Sequence, residues 1–270
     1  MTAWKETIIR RFDAAAATYD GAAGTQSLIA GGLARRILAL PLGAHPEVLE
    51  IGCGTGALTS ILGPALTGCR WLATDIAPGM VAACARRALP WVTLRVMDGE
   101  FPDLPEAGFD LIVSNLAVQW FGDLPAGLGR LHRLLKPGGV LAVTTLGAGT
   151  FDEWRALCQA AGLEPGTPAY PTARELAAAL PGSHVHSEPC PLDCGTLKGF
   201  LDHLRFSGAR TAAPGHPGQS TALLKRMLRA REATPFSATY HVLTVIWEKD
   251  DRCSNHPPGT GNLPLSVPKR

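Results

Sequence analysis

The chain has 270 residues, 46% of them hydrophobic and 18% charged, enough to enclose an α/β core as one domain, or one domain with a small insertion. A formal net charge of +2 lacks the marked basic excess of a nucleic-acid binder, and no apolar run reaches membrane-spanning length. Seven cysteines without regular even spacing favour a reduced, cytoplasmic chain over a disulfide framework.

At the N-terminus, Lys5, Arg10 and Arg11 interleave with Ile8, Ile9 and Phe12 in an amphipathic pattern that invites a transit-peptide reading. Acidic Glu6, Asp13 and Asp20 argue against it, so the segment is read as a helix packed over the mouth of a site, with a plain capping helix as the alternative. Val48, Leu49 and Ile51 predict a short buried strand, and Leu58, Ile61, Leu62, Ala65 and Leu66 have helical spacing. Between them lies Glu50-Ile51-Gly52-Cys53-Gly54-Thr55-Gly56, a glycine turn where strand becomes helix and backbone can approach a ligand. Cys53 reads as a small apolar filler.

The loop alone has two readings, because Gly52, Gly54 and Ala57, with Asp75 downstream, also satisfy a dinucleotide-binding pattern. Glu50 shifts the balance: it can bind a cationic ligand group or fix the loop, where a pyrophosphate needs room. Trp91 to Met97 predicts a third strand followed by Asp98-Gly99. Acidic residues at three successive strand ends suit a positively charged nucleoside and disfavour a dehydrogenase.

Asp110 to Asn115 and the turn Leu134-Leu135-Lys136-Pro137-Gly138-Gly139 continue the pattern into a fourth and a fifth strand. From Glu47 to Thr145 the alternation predicts a parallel sheet with helices on both faces and a ligand beyond the carboxyl ends of its strands. Helices are expected around 151–161 and 172–180, then a mixed stretch near Val185, a helix pair within 196–230 and a last strand over 238–247. One domain over 1–249 is expected, with its core at 44–147 and a helical lid inserted at 195–234. The Pro/Gly-rich residues 250–270 have too little apolar content to pack and are expected to be disordered.

His184, His186, Cys190 and Cys194 offer four soft ligands close in sequence. A strand-like His-x-His, the flanking Pro189 and Pro191, and the lack of a tight Cys-x-x-Cys disfavour zinc, and no metal is expected.

Taken together, these motifs resemble the class I S-adenosylmethionine-dependent methyltransferases. Arg11 to Asp20, the run Ser114-Asn115-Leu116-Ala117-Val118-Gln119-Trp120, Thr144-Thr145-Leu146, Leu204 to Ala209 and Thr239 to Val242 narrow the resemblance to the malonyl-acyl-carrier-protein O-methyltransferase family of biotin synthesis. It covers roughly residues 8–248 by motif position. Arg205 stands where that family usually carries lysine, exchanging a point donor for a planar fork.

The resemblance implies a Rossmann-like fold with S-adenosylmethionine as cofactor. Glu50, Gly52, Cys53, Gly54 and Gly56 would surround its methionine part, Asp75 its ribose, Asp98 and Gly99 its adenine edge, and Ile76, Met80 and Met97 its adenine faces. Ser114 and Asn115 complete the implied cofactor set. Tyr19 and Gln119 would line the methyl-transfer pocket, Arg205 would select the carboxylate, and Tyr240 and His241 would be polar substrate contacts. The implied substrate is a malonyl thioester on acyl carrier protein, or malonyl-coenzyme A, with Lys198, Arg205, Arg210, Lys225, Arg226, Arg229 and Arg231 as a basic face for the acidic carrier. Two alternatives stay open: the same fold acting on another small acceptor, and a non-catalytic cofactor-binding interaction protein.

Overall fold

The computed structural model describes residues 2–87, 90–207, 209, 211–216, 218, 220–232 and 234–251. Three helices lead the chain: α1 (Ala3–Ala15), α2 (Tyr19–Ala22) and α3 (Gly24–Leu38). Strands and helices then alternate as β1 (Glu47–Ile51), α4 (Ala57–Leu62), β2 (Arg70–Asp75), α5 (Pro78–Ala85), β3 (Val92–Val96), β4 (Phe109–Asn115), α6 (Leu124–Arg133) and β5 (Leu135–Leu146). The remainder is α7 (Asp152–Ala160), α8 (Ala173–Ala179), β6 (His184–Thr196), α9 (Leu197–Phe206), α10 (Thr221–Ala230) and β7 (Pro235–Glu248).

The strands form one seven-stranded sheet in the order β3-β2-β1-β4-β5-β7-β6. All pairings from β3 to β5 are parallel, while β7 is antiparallel to both β5 and β6. This is the expected Rossmann-like, mostly parallel α/β fold. The inner strands β4 and β5 carry unbroken apolar runs, Leu111 to Val113 and Val140 to Val143, because both faces are covered, and in β1 the buried Glu50 interrupts the run. On one face Leu33, Ile37, Leu62 and Trp71 pack with Val48 and Leu111; on the other Leu128, Leu131 and Leu176 pack with Leu49, Ile112 and Leu141. Chain order reverses between β1 and β4, and such a switch point opens a crevice beyond the strand ends.

The stretch near Val185, expected to be mixed, is instead a thirteen-residue edge strand paired along the length of β7. Pro189 and Pro191 hid it from the pattern, and an edge strand tolerates them because its outward side has no ladder to complete. An extended backbone at about 3.3 Å per residue spreads His184, His186, Cys190 and Cys194 over roughly 30 Å, so these four side chains cannot converge on one ion.

Helices α9 and α10 fall between β6 and β7 in the chain and have their own apolar anchor. Leu197, Phe200 and Met227 pack against Leu146, Phe151, Trp154, Tyr240 and Val242. Serine and threonine side chains start both helices: Thr196 accepts from the Gly199 amide and Ser220 from the Leu223 amide. Arg210 and residues 252–270 of the tail lie outside the described residues.

Candidate active site

A cleft of about 600 Å³ opens at the carboxyl ends of β1, β2 and β4. Its floor is the glycine loop. Gly52 and Gly54 stand at φ +68° and +54°, where side chains are strained, and a Cβ on Gly52 would collide with the Ala117 methyl. Open space lies where a Cβ on Gly54 would point, as a cradle for a ligand requires. Gly56 heads α4, and its amide donates to the Cys53 carbonyl.

Asp75, the last residue of β2, lines this cleft and is held by the backbone: Oδ2 accepts from the Gly54 amide and Oδ1 from the Ala77 amide, both at 2.9 Å. Burial pushes its carboxyl up to about 6, against the pull of those amides. Asp98, just after β3, accepts from the Glu100 amide and pairs with Lys5 Nζ at 2.6 Å. Ile76, Met80, Met97, Gly99 and Ile8 supply apolar wall. Leu116, at φ +50°, is turned into the cleft by its amide, which donates to both the carbonyl and the hydroxyl oxygen of Thr144. A branched side chain in the left-handed region is costly and is held here by that network.

The cleft is roofed by α1. Lys5 also reaches Glu100 at 2.7 Å, Asp13 accepts from the Gly79 amide at the start of α5, and the Phe12 ring meets those of Tyr19 and Trp120. Tyr19 borders both the cleft and an adjoining groove of about 890 Å³ lined by Gln26, Glu50, Gly52, Cys53, Asn115 and Arg87. In that groove Glu50 is only 1% exposed, and its Oε2 accepts from Thr59 Oγ1 at 2.5 Å and Trp71 Nε1 at 3.1 Å. Glu50 therefore clamps the loop to α4 and β2. Asn115 donates to the Gln26 carbonyl and accepts from Thr144 Oγ1, fastening α3 beside the cleft.

Burial pushes the Glu50 carboxyl up to about 8, hydrogen bonds from Thr59 and Trp71 notwithstanding. A folded pKa above the unfolded value of about 4.3 means that the native state holds the extra proton, so stability falls as pH rises from about 4.3 to about 8. Glu50→Gln keeps the shape and an acceptor for both donors. Its urea midpoint is expected to drop less between pH 5 and pH 8 than that of the wild type; parallel drops would show that Glu50 titrates normally.

Some expected residues are placed elsewhere. Ser114 is fully buried behind the cleft, its hydroxyl donating to the Ile51 carbonyl and tying β4 to β1. Gln119 donates to the Leu116 carbonyl and is not on the cleft wall. Arg205 lies on the wall of a second cavity, about 1270 Å³, beside α9, with Arg11, Tyr170 and Trp154. Tyr240 and His241, neighbours on β7, point to opposite faces of the sheet. Tyr240 packs among Phe151 and Phe200 with its hydroxyl 2.9 Å from His203 Nε2, whereas the His241 ring lies beside Gly149; neither lines the cleft, the groove or the second cavity.

Sequence reasoning missed Lys5, Gln26 and Leu116 as parts of the site. Gln26 carried a signal, since it shares a helical stripe with Ile29, Ala30 and Leu33 and is the polar member of a buried face.

A "Methyltransferase domain" family model matches residues 49–141. The chain is 43% identical over 244 residues to the "Biotin biosynthesis bifunctional protein BioCD" of Bordetella avium, covering 90% of this chain but 52% of that longer protein. It is 40% identical to the "Malonyl-[acyl-carrier protein] O-methyltransferase" of Magnetococcus marinus, covering 88% of this chain and 91% of the relative. Among solved structures, the Haemonchus contortus phosphoethanolamine N-methyltransferase 2 in complex with S-adenosyl-L-methionine superimposes with a TM-score of 0.57 at 17% identity, over 93% of this chain and 60% of that one, a likeness of fold. With a Rossmann-like sheet, a glycine-floored cleft at its switch point and a relative matched along nearly its whole length, the chain belongs to the malonyl-[acyl-carrier protein] O-methyltransferase family.

Proposed function

We propose that the chain transfers a methyl group from S-adenosylmethionine to the free carboxylate of a malonyl thioester carried on acyl carrier protein. The observation that carries the reading is Asp75: a buried carboxylate at a strand end, oriented by two amides and open to the cleft. The residues present fit the cofactor. Asp75 suits a pair of ribose hydroxyls, Asp98 and Gly99 the polar edge of adenine, and Ile76, Met80 and Met97 its faces. The groove beside Tyr19 takes the amino-acid end.

When bound, the cofactor supplies an electrophilic methyl group on a sulfonium. A malonyl carboxylate, with a reference pKa of about 4, is already ionised near neutral pH, so the protein has no proton to remove. Burial, reinforced by the charges of Asp75 and Asp20, holds the Tyr19 phenol above its usual range. Tyr19 therefore acts as a hydrogen-bond donor that orients, not as a base. Alignment and exclusion of water lower the barrier, and α1 and the lid supply the walls.

We assign Arg205 to selection of the carboxylate. It is exposed at the second cavity with its guanidinium over the Phe206 ring, a position from which it guides an anionic acyl end inward. Lys225, Arg226, Arg229 and Arg231 are exposed on and just after α10, a basic surface that fits an acidic carrier. The deciding experiment is transfer of labelled methyl to malonyl-, acetyl- and succinyl-acyl carrier protein. Label on the malonyl form alone is expected; equal labelling of succinyl carrier, or none on malonyl, would remove the substrate assignment. Arg205→Ala is expected to raise KM for the malonyl carrier about tenfold, the weight of one charge-assisted hydrogen bond. An unchanged KM would transfer that role to another cation.

A further inference from the structure

We propose that the Gln26 side chain is a specificity-determining contact that accepts a hydrogen bond from the ammonium group at the amino-acid end of the cofactor. The inference rests on the function proposed above and names a residue outside the glycine loop and strand-end motifs. Gln26 is 8% exposed, lines the groove, and its Oε1 is buried without a hydrogen-bond partner. Buried carbonyl oxygens are nearly always satisfied, and one without a donor on a residue that lines a ligand groove calls for a donor that arrives with the ligand.

The position is fixed. Asn115 Nδ2 donates to the Gln26 backbone carbonyl at 3.1 Å, and Thr144 in turn holds Asn115, so the helix carrying Gln26 is registered against β4 and β5. The groups around it select the ligand group. Glu50 adds a second buried carbonyl-type oxygen to the same groove, its carboxyl kept protonated near neutral pH by burial, while Asp20, on the rim, is already taken by Arg87 Nη2 at 2.8 Å and Thr55 Oγ1 at 2.5 Å. Acceptor oxygens in one dry groove favour an incoming donor and leave an incoming carboxylate without one. Of the two charged groups on the cofactor's amino-acid end, the ammonium is the donor.

The test is calorimetric binding of three ligands to the cofactor-free full chain: S-adenosylhomocysteine, its analogue lacking only the amino group, and 5′-methylthioadenosine, which lacks the whole amino-acid end. Gln26→Leu is expected to weaken S-adenosylhomocysteine about tenfold and to leave the other two within twofold. Equal weakening of all three ligands would make Gln26 structural and overturn the proposal, as would unchanged binding of all three. Equal loss for S-adenosylhomocysteine and its amino-lacking analogue would move the contact to the carboxylate and overturn the ammonium assignment. Gln26→Glu, which keeps an acceptor in place, is expected to bind S-adenosylhomocysteine more tightly than the leucine variant. If the wild type binds none of the three, both the cofactor reading and this inference fall; if it binds all three without methylating malonyl carrier, only the substrate assignment falls.

Discussion

Asp75→Asn is expected to weaken S-adenosylhomocysteine binding about 100-fold while leaving the chain folded. The carboxylate is buried, and its two oxygens each take one amide hydrogen bond, from Gly54 and Ala77, which leaves lone pairs facing the cleft. Two ribose hydroxyls donating to an ionised carboxylate are worth roughly 1.5 kcal/mol each, and a loss of about 3 kcal/mol is about 100-fold in affinity. The asparagine amide adds damage, because its NH2 must face either a ligand hydroxyl or one of the amides that now point at oxygen. The effect also has a pH signature. Burial pushes the Asp75 carboxyl up to about 6, so wild-type affinity is expected to fall as pH drops through about 6 and the anion is lost. The asparagine variant has no such group, and its affinity is expected to be flat across that range. Calorimetry at pH 5, 6, 7 and 8 reads both effects; an affinity within threefold of wild type at pH 8 would remove Asp75 from the ribose site.

Periodicity served this chain well where the fold is repetitive and poorly where burial depends on distant partners. Leu111 to Val113 and Leu141 to Val143 announce inner strands because a parallel sheet covered on both faces leaves no room for polar alternation, and Val48, Leu49 and Ile51 do so around the single buried Glu50. The strand ends were legible because Asp75 and Asp98 each follow a short strand-like segment, Trp71 to Thr74 and Val92 to Met97. The edge strand β6 was not, because a strand facing solvent on one side tolerates the prolines and charges that look like loop. Tyr240 and His241 were named from the family resemblance, and that they stand on opposite faces follows only once both are placed on one strand. The Leu116 turn was invisible, because its left-handed backbone is imposed by Thr144 from a neighbouring strand and not by any local residue preference. Lys5 was read as one of several cations on an amphipathic helix, although its partners lie on the loop after β3.

That lysine carries the second large effect: Lys5→Met is expected to cost about 3 kcal/mol of stability and to loosen the cofactor. Lys5 is 7% exposed, with Asp98 at 2.6 Å and Glu100 at 2.7 Å, and its ammonium lies 5.0 Å from the centre of the Phe101 ring. Removing one partner of a buried ion pair strands the other charge, and the cost is set by that stranded charge. Glu100 retains the amides of Gly122 and Asp123 and, at 3.6 Å, Arg130, which holds the loss near the lower end of the usual range. Burial alone raises the Glu100 carboxyl, but Lys5 and the two amides outweigh it and leave it below its ordinary value. A depressed carboxyl stabilises the fold above its unfolded pKa and loses that stabilisation as pH falls through the folded value, so the difference between wild type and Lys5→Met should shrink in acid. For a domain of this size 3 kcal/mol corresponds to a fall in Tm of roughly 10 °C at neutral pH. Because Lys5 ties α1 across the cleft to the residue assigned to adenine, a roof reading of α1 adds a loss of cofactor affinity of about tenfold. A cap without ligand contact predicts the stability loss alone. Thermal unfolding with and without S-adenosylhomocysteine separates the two: equal ligand-induced shifts in wild type and variant would make α1 a cap, and a smaller shift in the variant would make it the roof of the site.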